Sequence, residues 1–123
     1  MKKETYDFMK GHELVALNIN GKTLTHIVYV MQYDLHDIGY VSFINTPNES
    51  LFRFDEPRLW NAAIKSQHTP VFLYQITFMG KTKGALGIRE TFSETSIGQD
   101  EEQAILNLYG MFDHITVQRV ERI

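Results

Sequence analysis

The segment from Leu14 to Tyr33 constrains the fold more than any other part of this sequence. Apolar residues alternate with small or polar ones from Val15 to Ile19, and Asn20-Gly21 then precedes a second apolar run. Asn-Gly accepts the positive φ angles of a type I′ turn, so the pattern predicts a β-hairpin. The second arm is apolar on both faces, which favours a central strand. We therefore expect the chain to fold around a β-sheet.

Later segments predict further strands and two short helices. Asp55-Glu56-Pro57 and Asp100 precede runs with apolar residues at helical spacing, and acids and proline are typical of helix starts. Leu86, Ile88 and Phe92 share one face of a predicted strand that follows the polar reversal at residues 80–84. Strands are predicted for residues 39–44, 71–79, 86–92 and 115–120, and helices for residues 58–67 and 100–112.

The order βββ-α-ββ-α-β predicts an α+β, β-rich fold. We expect a mostly antiparallel sheet, or a small, partly closed barrel, with two short helices. In outline the order is similar to the small pseudo-barrels of the PUA-like class, many of which bind RNA. The 123 residues suit one domain spanning residues 1–123, with residues 1–12 expected to be a loosely ordered N-terminal segment.

Composition excludes several classes of protein. The chain has no cysteine, so disulfides and thiolate-bound metals are excluded, and a reducing, cytoplasmic location is expected. The N-terminal residues contain no apolar stretch typical of a secretory signal. Apolar runs are far shorter than the ~20 residues of a membrane-spanning helix, so no membrane partner is expected.

Charge is distributed unevenly along the chain. Residues 51–89 carry six Lys or Arg and two acids, a net charge of +4, whereas residues 90–123 carry −5 and residues 1–50 carry −2. The basic segment is also rich in aromatic residues, and cations interleaved with rings suit a phosphate backbone with stacked bases. The candidate phosphate contacts are Arg53, Arg58, Lys65, Lys81, Lys83 and Arg89, and the candidate stacking residues are Phe54 and Trp60.

Motifs for catalysis are weak. His114-Ile115-Thr116 matches one arm of the His-x-Thr pair of two-histidine phosphoesterases, but the chemistry needs two arms. Asp34-Leu35-His36-Asp37 offers oxygen and nitrogen ligands within one short loop, which rarely completes a metal site. We predict no catalytic residue, metal or cofactor.

The sequence thus favours a non-enzymatic binding or regulatory domain. The first hypothesis is binding of RNA or single-stranded nucleic acid through the basic segment. The alternative is a module or inhibitor that binds one protein partner, because the acidic C-terminal part suits a basic surface. A phosphoesterase is a distant third. The oligomeric state stays open, with a homodimer among the options, because the last strand can pair with another chain.

Overall fold

A computed structural model describes the backbone of residues 1–19, 22–31, 39–53 and 67–123, and the side chains of residues 1–16, 28, 41–51 and 69–123. Within these ranges the chain forms two helices and seven strands. The helices are α1 (Lys3–Met9) and α2 (Glu101–Leu108). The strands are β1 (Glu13–Ile19), β2 (Lys22–Met31), β3 (Gly39–Ser42), β4 (Ser50–Arg53), β5 (Gln67–Thr82), β6 (Glu90–Gly98) and β7 (Phe112–Arg122).

The first four strands form an antiparallel meander, and β5 pairs with β1 at one edge of it. The strand order is β4-β3-β2-β1-β5-β6, with β7 also paired to β5. Ile19 pairs with Lys22, which confirms that β1 and β2 form the predicted hairpin, whereas Asn20 and Gly21 lie outside the described residues. The sheet is open, so the mostly antiparallel, β-rich α+β fold is confirmed as a sheet and not as a closed barrel.

Strand β5 is long because three strands pair with it along its length. β1 pairs with residues 67–71, whereas β6 pairs with residues 72–80 and β7 with residues 74–82. β6 and β7 overlap along β5 and therefore lie on its opposite edges. The C-terminal half of β5 is thus the centre of a three-stranded sheet, β6-β5-β7.

Two hydrophobic cores lie on opposite faces of β5. Val71 and Leu73 pack in a first core with α1 and the meander, where Met9, Val41 and Ile44 are also buried. Tyr74, Ile76 and Phe78 pack in a second core with α2 and β7. Successive side chains of a strand alternate between its faces, so Val71 and Leu73 face the first core, whereas Tyr74, Ile76 and Phe78 face the second.

Helix α1 is attached to the loop between β3 and β4 through Glu49, which is 5% exposed. The Glu49 carboxylate accepts hydrogen bonds from the Lys2 backbone N–H (2.8 Å), the Thr5 hydroxyl (2.9 Å) and the Asn45 backbone N–H (3.0 Å). These three donors satisfy a charge that would be costly to bury alone. The residues that the sequence analysis assigned to a loose N-terminal segment therefore include a helix with buried contacts.

Several predicted boundaries differ from the observed ones. The strand predicted to start at Leu86 starts at Glu90, because Gly84 and Gly87 adopt positive φ angles and lead the chain out of the sheet. Strand β4 and helix α1 are additional elements. The second predicted helix ends at Leu108, and Phe112 already belongs to β7. The helix predicted for residues 58–67 lies outside the described residues, except that Gln67 begins β5.

Candidate interaction surface

The predicted nucleic-acid contacts fall into two groups. Phe54, Arg58, Trp60 and Lys65 lie outside the described residues, and of Arg53 only the backbone is described, at the end of β4. Lys81, Lys83 and Arg89 lie at or in the connection between β5 and β6. The structure therefore brings three of the predicted cations together at one end of the three-stranded sheet.

Two of those three cations make hydrogen bonds inside the molecule. Lys83 Nζ donates to the backbone carbonyl of Tyr109 (3.3 Å), and the Lys83 N–H donates to the carbonyl of Met111 (2.8 Å). Arg89 donates to the carbonyl of Met79 (3.2 Å) and to the Thr116 hydroxyl. Lys83 thus attaches the connection to the C-terminal end of α2, and Arg89 attaches it to both β5 and β7.

The aromatic residues of the three-stranded sheet lie in its core. The rings of Phe78 and Phe112 meet edge to face with centroids 5.1 Å apart, and Phe92 packs 4.9 Å from Phe112. Such contacts stabilise a core and leave those rings unavailable to stack on bases. The opposite face is polar, since Gln75 binds the hydroxyls of Ser93 (2.7 Å) and Thr95 (3.0 Å). No aromatic side chain belongs to this open face within the described sheet.

The connection between β5 and β6 is the most exposed apolar feature among the described residues. We define the hairpin tip as residues 83–89. Leu86 is 100% exposed and Ile88 is 88% exposed. Exposed single aliphatic residues are ordinary, but two in one short connection, with Lys81 and Lys83 at its base, form an apolar and basic knob.

A second exposed apolar feature lies on helix α2. We define the helix groove as the shallow, open surface along α2, in which Leu106 is 61% and Tyr109 is 41% exposed. Asp100 caps this helix, because its carboxylate accepts a hydrogen bond from the Gln103 backbone N–H (2.8 Å), as the sequence predicts. The groove is lined by Asp100, Glu101, Glu102, Ile105, Leu106 and Tyr109.

A smaller cleft of about 250 Å³ lies beside Asn45, between Met1 and Lys2 on one side and the start of β7 on the other. Asn45 adopts a φ of 58° and donates to the buried Ser96 hydroxyl (3.0 Å), which in turn donates to the carbonyl of Ala104 (2.7 Å). The Met1 amino group bonds the Asn45 side chain and lies 3.5 Å from Glu94. These contacts join the meander to the second core, so we interpret the cleft as a structural junction.

The described residues give little support for a metal site, a catalytic site or a membrane-spanning helix. No three His, Asp or Glu side chains there are grouped to hold a metal ion. The loop at residues 34–37 lies outside them. His114 is described, and it sits at an irregular point of β7 with a φ of 56°. No described helix has the length and apolar character needed to cross a membrane.

Comparison with known proteins gives no relative. No protein-family model matches the chain, and neither a curated protein nor a solved structure is significantly similar to it. The outline similarity to PUA-like pseudo-barrels is therefore unsupported by any match. The function has to be argued from the surface itself.

Sequence reasoning missed the two exposed apolar features because it assigned Leu86, Ile88 and Tyr109 to the apolar faces of predicted elements and did not single out Leu106. Leu86 and Ile88 fit the period-2 pattern of a strand, and Tyr109 fits the apolar stripe of a longer helix. The glycines at 84 and 87 were the available signal, since paired glycines around an apolar dipeptide favour a loop over a strand.

Proposed function

We propose that this chain is a non-enzymatic binding domain that holds one protein partner through the hairpin tip. The observation that carries the proposal is the exposure of Leu86 and Ile88 within one short connection. Burying an aliphatic side chain contributes ~1.5–3 kcal/mol, so an apolar pocket on a partner gains from receiving both. Lys81 and Lys83 at the base of the tip favour a partner with acidic residues around that pocket.

The test replaces the two exposed aliphatic side chains of the hairpin tip, which contribute little to the packing of the fold. Leu86→Ser with Ile88→Ser should abolish retention of the partner from a nuclease-treated extract, while circular dichroism stays the same because both side chains are exposed. Ile123→Ser is the matched control, since Ile123 is 55% exposed at the other end of the sheet. Equal retention by wild type and double variant contradicts the proposal.

Binding of RNA or single-stranded nucleic acid is the second candidate function. It is supported by the net charge of +4 over residues 51–89 and by the closeness of Lys81, at the end of β5, to the exposed Lys83. The hydrogen bonds of Arg89 to β5 and β7 and the core positions of Phe78, Phe92 and Phe112 weigh against it relative to a protein partner.

A salt titration tests the nucleic-acid candidate. Short single-stranded RNA is titrated against the wild type and against Lys81→Glu with Lys83→Glu, followed by RNA anisotropy and tryptophan fluorescence. If both lysines contact phosphates, the slope of log K against log salt should fall in magnitude by ~1.4, at ~0.7 per contact. An unchanged affinity and slope removes these lysines as contacts.

A further inference from the structure

We infer that the protein partner of the hairpin tip is a second copy of this chain, which receives the tip in its helix groove. The inference rests on the proposed function, because it uses the same tip. It adds the identity of the occupant and a second surface, the groove along α2.

The tip and the groove are complementary in chemistry. The tip presents Leu86 and Ile88 with Lys81 and Lys83 at its base. The groove offers the exposed surface of Leu106 and Tyr109 beside three carboxylates at the start of α2. An apolar knob with a basic base therefore fits an apolar groove with an acidic rim, and opposite charges steer and orient such a contact.

The positions of the two features suit a two-fold axis. The hydrogen bonds from Lys83 to Tyr109 and Met111 place the base of the tip beside the C-terminal end of α2. The acidic residues lie at the N-terminal end of the same helix, which is ~12 Å away at 1.5 Å per residue. One face of the molecule thus runs from basic through apolar to acidic.

Such a face is self-complementary when two copies meet with their α2 helices antiparallel. The basic end of each copy then meets the acidic end of the other, and both contacts form twice by symmetry. Closed two-fold dimers are the commonest oligomers and need a surface of this kind. Within one copy the tip lies beside the C-terminal end of α2, so its lysines do not meet the acidic residues at the N-terminal end of the same helix.

Charge exchange tests the arrangement directly. The first variant carries Lys81→Glu with Lys83→Glu, and the second carries Glu101→Lys with Glu102→Lys. Each variant alone brings like charges together at both contacts, so its dimer dissociation constant should rise at least roughly tenfold. Mixed in equal amounts, they should form a heterodimer of about wild-type affinity, because each tip then meets a groove of opposite charge.

Sedimentation equilibrium over a range of concentrations gives the readout. The wild type should be a concentration-dependent dimer, and Leu86→Ser with Ile88→Ser should be a monomer at the same concentrations. This second pair keeps the inference testable if Lys83→Glu perturbs the end of α2, and Ile123→Ser again serves as the control that should remain dimeric.

The outcomes separate this inference from the proposed function. A wild type that is monomeric at its highest soluble concentration, or variants whose mixture stays monomeric, overturns the second copy as occupant. Tip-dependent retention of a different protein would then leave the proposed function standing. A dimer that is indifferent to Leu86→Ser with Ile88→Ser overturns the inference, and tip-independent partner retention overturns the proposed function.

Discussion

At the scale of single residues, Glu49 shows how a buried charge organises its surroundings. Its carboxylate accepts from the Lys2 and Asn45 backbone N–H groups and from the Thr5 hydroxyl, and it lies under α1. Its own backbone carbonyl accepts from Lys2 Nζ at 3.0 Å. One side chain therefore joins the N-terminal helix to a loop more than forty residues away in sequence.

Glu49→Gln should lower the free energy of unfolding by about 1–3 kcal/mol. The amide nitrogen brings a donor to a site that already holds donors, and a mismatched buried polar group costs about that much. Urea denaturation measures the change. Glu90→Gln is the control because Glu90 is exposed, and a loss equal to that of the control contradicts the role assigned to Glu49.

At the scale of elements, strand β7 departs from regular pairing at two points. Its register against β5 shifts between Thr77 and Phe78 and again between Met79 and Lys81, and each time β7 has one residue more than β5. His114 lies at the second shift in a left-handed conformation, with a φ of 56°. Left-handed residues are typical of bulges and strongly favour glycine.

His114→Gly should leave the fold unchanged and raise the free energy of unfolding by up to ~1 kcal/mol. His114→Val should lower it by at least ~1 kcal/mol, because a β-branched residue resists positive φ. Thermal unfolding of the two variants gives the comparison. The reverse ranking would show that the side chain of His114, and not its backbone conformation, determines stability there.

The elements that could be predicted are those determined by their own residues. The hairpin around Asn20-Gly21, strand β5 and the start of α2 follow from local alternation, turn chemistry and an N-cap acid. Helix α1 could not be predicted, because its seven residues are too few to be stable alone and it is held by the distant Glu49. The hairpin tip was wrongly predicted as a strand, because Leu86 and Ile88 have the two-residue spacing of one strand face.

At the scale of the whole molecule, β5 belongs to both hydrophobic cores. Leu73 faces the first core, and its neighbour Tyr74 faces the second. If either core unfolds, β5 loses the packing on one of its two faces. The described part of the chain should therefore unfold as one unit.

Ile44→Ala in the first core and Ile76→Ala in the second should each lower stability by about 2–5 kcal/mol, because both side chains are fully buried. Both variants should retain one transition, shifted as a whole, with circular dichroism and fluorescence changes that coincide. Two separate transitions in either variant would indicate that the cores are independent.

The irregular pairing of β7 also bears on how the protein behaves when it is concentrated. A long, straight strand at a sheet border is a template for fibre growth, since each added chain finds the same unpaired backbone groups. Strand β7 has eleven residues, but its two extra residues interrupt the row and the charged Arg119 and Glu121 lie near its end. We therefore expect the residues that interrupt the pairing of β7 to oppose its stacking into amyloid-like fibres.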